Sequence, residues 1–348
     1  MSYFDSKRIV GTNADRVGSD AISGGWVELG RTTLGSAATS ITVSSLPDKR
    51  YYKVLTHITG QSANSDLGLR LNSDTGSNYA RRFSTNGGSD ISGTVTSLPW
   101  HYTDSSKTTP IFAMGYLANK SDKEKLTISH GVRQTGTTAG APSRFESVGK
   151  WANTSNPIDE IQVLATGGTN LNSGSEMVVL GWDPDDTHTS NFWEELASVE
   201  LGTTSSNIST GTISAKKYLW VQGYFIKSSA SAEVTIQYNN DTGSNYARRK
   251  STNGGGDGTE LSQTKIDVVG GDANPSFTNT FIINNASNEK LGITHTINQL
   301  SAGAGNVPQR AENVTKWANT SNQITEIDFN SISSSFEAGS FIKVWGSN

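Results

Sequence analysis

The stretch DTGSNYARR occurs twice in this chain, at residues 74–82 and 241–249. Extended to DTGSNYARRFSTNGG and DTGSNYARRKSTNGG, the two differ at one position in fifteen and lie 167 residues apart. Outward from this pair the matches continue. WVEL at 26–29 is answered by WEEL at 193–196, and Tyr51 in DKRYYKV by Tyr218 in AKKYLWV. EKL at 124–126 returns at 289–291, PSRFESVGKWANTSN at 142–156 returns as PQRAENVTKWANTSN at 308–322, and GSEMVVLG at 174–181 as GSFIKVWG at 339–346. The offset drifts by only two residues, so two copies are collinear over about 155 residues, a period too long for a solenoid unit. This is a tandem duplication of a whole domain.

The repeat sets the expected boundaries: an N-terminal arm at 1–25, copy one at 26–182, a linker at 183–192 (DPDDTHTSNF) and copy two at 193–348. Each copy reads as β. Tyr52, Val54, Thr56 and Ile58 alternate with more polar neighbours, and Leu219, Val221, Gly223 and Phe225 hold the same phase in copy two. A one-residue slip would turn the whole set outward, so the shared phase marks an inner face. Short runs follow at Leu67–Leu71, Ile111–Leu117, Leu126–Val132, Ile158–Leu164 and Met177–Leu180, with turn residues between them and no capped 3.6-residue period. The expected fold class is all-β, with two tandem jelly-roll-like β-sandwich domains preceded by an extended arm. Separate single-domain barrels are the alternative.

Bulk composition narrows the function classes. The 348 residues suit two domains, charged residues are 17% of the chain and the formal net charge is −4. Nucleic acid needs a concentrated basic face, and the adjacent pairs Arg81–Arg82 and Arg248–Arg249 are too short to make one. There is no cysteine, hence no disulfide and no thiolate metal site. The N-terminus carries charges where a signal peptide has an apolar run, and no stretch reaches membrane-spanning length, so no membrane insertion is expected.

Asp-Thr-Gly-Ser is also the signature of pepsin-like aspartic proteases, two-lobed β-proteins with one such Asp per lobe. Their two carboxylates share a proton, and each follows an apolar strand. Here Asn72 and Ser73 precede Asp74, Asn239 and Asn240 precede Asp241, and Tyr-Ala-Arg-Arg follows. The protease is therefore a remote alternative. The favoured reading makes each motif a turn: Asp74 and Asp241 bond backbone amides ahead, Gly76 and Gly243 take the positive-φ position, and strands restart at Tyr79 and Tyr246.

Other residues invite chemistry. In a strand, Arg81 and Arg82 face opposite ways, as do Arg248 and Arg249, so one of each pair is expected to lie inward against Glu146, Glu160, Glu312 or Glu326. Trp151 and Trp317 in KWANTSN are candidate glycan-stacking platforms, set against ordinary core or sheet-edge packing. NTS at 153–155 and 319–321 fits a glycosylation acceptor but reads as turn. The five histidines lack metal-ligand spacing, Asp183, Asp185 and Asp186 read as a solvated linker, and no phosphate loop or nucleophile elbow is recognisable. The expectation is no catalytic residue, no metal and no cofactor.

The arm with KRIVGTNADR leading to WVELGRTTLGSAATSITVSSLP, the turn-strand DTGSNYARRFSTNGG and the closing strand FEAGSFIKVWGSN together resemble modules in structural proteins of tailed bacteriophages, especially marine and environmental phages. The resemblance covers nearly the whole chain. It implies a non-enzymatic virion component, assembled in the host cytoplasm, with capsid decoration or a minor capsid role ahead of tail or fibre attachment. Its partners are then other virion proteins and further copies of itself, with a host-surface glycan as ligand in the adhesin alternative. The arm, with Lys7, Arg8, Ile9, Val10 and Arg16, is the expected anchor: it has too little apolar content to fold alone but can lie extended on a partner.

Overall fold

The computed structural model describes residues 22–23, 25–102, 108–136, 138–183, 187–188, 191–229, 233–270 and 274–348. The arm residues Lys7, Arg8, Ile9, Val10 and Arg16 and the linker residues Asp185 and Asp186 lie outside these. Among the described residues every regular element is a strand. The chain divides into two structural units. Unit 1 comprises Met1–Gly131 and Phe145–Glu194, and unit 2 comprises Val132–Arg144 and Glu195–Asn348.

In the first copy a four-stranded sheet runs in the order Ser40–Val43, Ile161–Ala165, Leu67–Leu71, Leu98–His101. The larger sheet has eight strands, in the order Val27–Thr33, Glu176–Trp182, Tyr51–Ile58, Ile111–Ala118, Lys125–Arg133, Ser143–Trp151, Tyr79–Thr85, Ile91–Val95. The chain passes between the two sheets in the order of a jelly roll, in which consecutive strands belong to opposite sheets except for one hairpin. Two additions extend that path. A hairpin, Lys125–Arg133 with Ser143–Trp151, is inserted in the middle of the larger sheet, and Val27–Thr33 with Glu176–Trp182 extends its edge. Ile22–Ser23 pairs antiparallel with Thr187–His188 as a separate two-stranded ladder.

Copy two repeats this order strand for strand. Its small sheet is Asn207–Ser209, Ile327–Ile332, Glu233–Tyr238, Ile266–Val269. Its large sheet is Glu194–Glu200, Phe341–Ser347, Tyr218–Phe225, Ser276–Ile283, Lys290–Asn298, Gln309–Trp317, Tyr246–Thr252, Gly258–Gln263. The tandem β-sandwich fold class expected from the repeat is the observed one.

Each sandwich closes on its own apolar cluster, with Tyr52, Val54, Leu69, Trp151 and Val163 in the first and Leu219, Val221, Ile236, Trp317 and Phe329 in the second. From Leu219 to Phe225 the alternation is clean, as period-2 patterning dictates, with Tyr218 at the start of the strand buried as well. Tyr51–Ile58 departs from it, because Lys53, Leu55 and His57 on the opposite face are buried as well. Lys53 lies against the rings of Tyr116 and Trp193, 5.2 and 5.4 Å from their centroids, and burial pushes its pKa well down.

Candidate functional site

The DTGS segments occupy equivalent places, each crossing from the small sheet to the large one. After Leu71 the chain reverses through Asn72 and Ser73, with φ of 51° and 53°, and Asp74 N–H closes the turn on Leu71 C=O at 3.0 Å. Two consecutive left-handed residues make a type I′ turn, for which asparagine is suited. Asn239 and Asn240 do the same in copy two. The positive φ therefore falls on these residues, and the expectation that Gly76 and Gly243 supply it is corrected.

Glycine is required at those positions for a different reason. Asp74 Oδ1 accepts from Gly76 N–H at 2.8 Å, and both carboxylate oxygens accept from the Asn78 amide at 3.1 and 2.9 Å. A β-carbon on residue 76 would stand 2.7 Å from Asn78 Nδ2 and 3.2 Å from Asp74 Oδ1, in the middle of that bridge. Gly76→Ala is expected to swing Asn78 away and cost about 1 kcal/mol in a urea titration, the scale of one or two partly exposed hydrogen bonds. Gly243→Ala, with its 2.6 Å approach to Asn245, should behave alike.

The remaining oxygen contact joins parts of the repeat that are far apart in sequence. Trp151 Nε1–H donates to Asp74 Oδ2 at 2.7 Å, and Trp317 to Asp241 Oδ2 at the same distance. Tyr79 stacks on Trp151 with centroids 6.3 Å apart, while its hydroxyl shares its one proton between Leu71 C=O and Asp74 C=O and accepts from Leu71 N–H. Burial pushes that hydroxyl up to about 12, so it stays protonated. From EKL, Lys125 sits 5.6 Å over the Trp151 ring and donates to Asn153 C=O at 2.9 Å. Lys290, Trp317 and Asn319 reproduce this in copy two. The best-matched pieces of the repeat, EKL, DTGSNY and KWANTSN, thus meet in one cluster per unit.

Burial works against a charged Asp74. Hydrogen bonds from Trp151, Asn78 and Gly76, with Arg70 nearby, outweigh it and hold the carboxyl below its ordinary 3.8. Burial opposed by Trp317, Asn245 and Gly243 does the same for Asp241. A proton-sharing dyad needs one carboxylate raised, whereas both here are lowered, with their oxygens engaged inside their own unit. The sign of the pH effect follows. As pH falls the unfolded chain binds its protons first, so the stabilisation is complete above the ordinary carboxylate value and is lost through the lower folded one. Urea midpoints measured from about pH 6 down to pH 2 should fall less steeply in D74N and D241N than in the parent.

Both candidate stacking rings are interior. Trp151 and Trp317 are each 1% exposed, so neither presents a face to a sugar, and the glycan-platform assignment of these two residues is corrected to core packing with a buried N–H anchor. Asn153 Oδ1 accepts from Ser155 and Asn156 N–H, which makes NTS an Asx turn; Asn319 repeats it.

The arginines also find partners other than those expected. Arg248 is buried, with a bidentate bond to Glu260 and a 2.9 Å contact to Asp267. Arg81 lies half-buried over the Phe83 ring, and Arg82 pairs with Asp90 across the hairpin in solvent. Arg249 lies 3.9 Å from Asp257, the counterpart of Asp90. The signal missed in the sequence is Asn86-Gly87, a type I′ pair with φ of 53° and 71° that folds Asp90 back beside the arginine strand. Glu160 instead accepts from Ser73 Oγ at 2.5 Å, and Glu326 from Asn240 at 2.8 Å.

Beside the first DTGS turn lies a polar hollow of about 460 Å³ lined by Asn72, Ser73, Asn156, Pro157, Asp159 and Glu160. Its polar groups largely bond one another: Asn72 donates to Pro157 C=O and accepts from Asp159 and Glu160 N–H. Among the described residues no group of three His, Asp or Glu side chains is gathered as metal ligands would be.

No family model and no curated protein matches the chain. Among solved structures it is similar to domains LG4-5 of the mouse laminin alpha1 chain, at 10% identity, covering 94% of this chain and 91% of that one, with a TM-score of 0.20. A223, a turret protein in Sulfolobus turreted icosahedral virus, aligns at 13% identity over 92% and 97% with a TM-score of 0.17. The STIV MCP aligns at 10% identity over 92% and 94%, also at 0.17. The functional reading therefore rests on the chain's own residues.

Proposed function

We propose that this chain is a non-enzymatic structural protein of a bacteriophage particle, with capsid decoration or a minor capsid role ahead of tail or fibre attachment. The observation that carries the reading is the fate of its most closely repeated residues. Asp74, Trp151 and Tyr79, and likewise Asp241, Trp317 and Tyr246, are spent on one another and on the backbone. What duplication has kept most alike is a brace within each sandwich, which suits a protein whose task is to hold shape. Repeated jelly-roll units built without disulfides suit assembly in a reducing cytoplasm followed by exposure outside the cell.

On this reading the arm anchors the chain to other virion proteins, and the symmetry of the particle multiplies weak contacts. Deleting residues 2–24 should leave two folded units that no longer copurify with particles, as judged by quantitative mass spectrometry. Undiminished incorporation of the truncated chain contradicts arm anchoring.

A further inference from the structure

One face of the large sheet differs between the two copies in a way that their sequences do not. Leu126, Ile128 and Val148 are 56%, 52% and 48% exposed, whereas their repeat counterparts Leu291, Ile293 and Val314 are 0%, 2% and 2%. The ion pair Lys150–Glu124 lies in solvent, and its counterpart Lys316–Glu289 has side chains 0% and 1% exposed. Arg82–Asp90 and Arg249–Asp257 show the same contrast, the acids being 51% and 1% exposed.

Within unit 2 this face has a cover, the segment Val132–Arg144, which carries the turn of the inserted hairpin. Arg144 reaches Asp257 at 2.8 Å and Glu312 at 3.2 Å, and Pro142 C=O accepts from Arg249 Nε at 2.9 Å. Lys316 donates to the carbonyls of Thr135 and Thr138. By strand register Arg249 stands opposite Val314, Val314 opposite Ile293, and Lys316 opposite Leu291, so these contacts surround the buried apolar trio. The covering turn reads QTGTTAGAPSR at 134–144, and its own repeat is QLSAGAGNVPQR at 299–310. That second turn is exposed from 301 to 308, with Val307 at 80%, and Arg310, the counterpart of Arg144, is 62% exposed.

We propose that the chain associates head to tail with a second copy of itself, the turn 299–308 of one copy covering the Leu126, Ile128 and Val148 face of the next. The same chemistry that closes the face in unit 2 is present on both sides. Arg310 meets Asp90 and Glu146, Arg82 donates to Pro308 C=O, and Val307 rests on the apolar trio. Face and turn are different surfaces, so the interface is heterologous and closes into a ring or continues as a filament. Such association does not depend on where the assembly is used. A turn-dependent oligomer absent from particles leaves it standing and overturns the virion reading.

The test is the mass of the full chain by light scattering and sedimentation across concentration, for the parent, I128D and V307D. Both substituted side chains are exposed, so circular dichroism should be unchanged. The parent should oligomerise, and each variant should associate on the order of thirtyfold more weakly or worse, as loss of a central contact does. Mixed one to one, the variants should form a dimer and stop, because each keeps one intact half. Exchanging the charges in R310D with D90R should restore association lost in R310D. A parent that stays monomeric at every concentration, or an oligomer indifferent to V307D, overturns the proposal. Loss of association on deleting residues 2–24 but not with V307D gives the face to the arm and overturns it equally.

Discussion

Trp151→Ala is expected to destabilise unit 1 by about 3–5 kcal/mol, the scale of removing a large aromatic side chain from a close-packed core. The ring is fully buried, stacks on Tyr79 and lies under Lys125, so its loss empties the point where three segments of the copy meet. Trp151→Phe separates the two parts of that effect. It keeps most of the packing but strips Asp74 Oδ2 of its 2.7 Å donor, for an expected cost of about 1–3 kcal/mol. Trp317→Ala and Trp317→Phe should give the same ordering in unit 2. Urea titrations followed by circular dichroism read these differences; a stable Trp151→Ala protein would mean that the cluster is not a brace.

Glu289→Ala should cost about 3–5 kcal/mol, while Glu124→Ala at the matching position should cost about 0–1 kcal/mol. The two pairs have nearly the same geometry, 3.0 Å for Lys316–Glu289 and 2.8 Å for Lys150–Glu124, and differ in solvent. Burial pushes the Glu289 carboxyl up against the pull of Lys316 and Lys290, and burial pushes Lys316 down against Glu289. Removing the carboxylate leaves an ammonium in the interior, held by the carbonyls of Thr135 and Thr138 without a counter-charge from residue 289. Replacing both members by methionine should recover most of the loss, because two desolvated charges gain little over well-packed apolar groups. Equal costs at 289 and 124 would show that the cover over Lys316 is not in place in solution.

Much of this architecture is legible in the sequence because it rests on local pattern. The duplication is a matter of self-alignment, and strands such as Leu67–Leu71 and Tyr218–Phe225 follow from period-2 burial. Asp74 as a turn brace follows from its Asx chemistry. What escapes depends on contacts that no local pattern encodes. Trp151 meets Asp74 across 77 residues of sequence, and nothing in KWANTSN says whether its ring points inward. Residue type alone puts the positive φ on Gly76, whereas the turn uses Asn72 and Ser73, and the glycine is there to clear the Asn78 amide. Leu126 and Leu291 occur in the same tripeptide, yet one is exposed and the other buried, because a distant turn covers only the second.

That this chain is a building block of a virion, as proposed above, is tested most directly by electron cryomicroscopy of virus particles whose genome carries its gene. Density is expected for paired jelly-roll sandwiches, each with a twelve-stranded pattern of eight and four, at symmetry-related positions on the particle surface. Particles that lack this density, and from which mass spectrometry recovers no peptide of the chain, would contradict it.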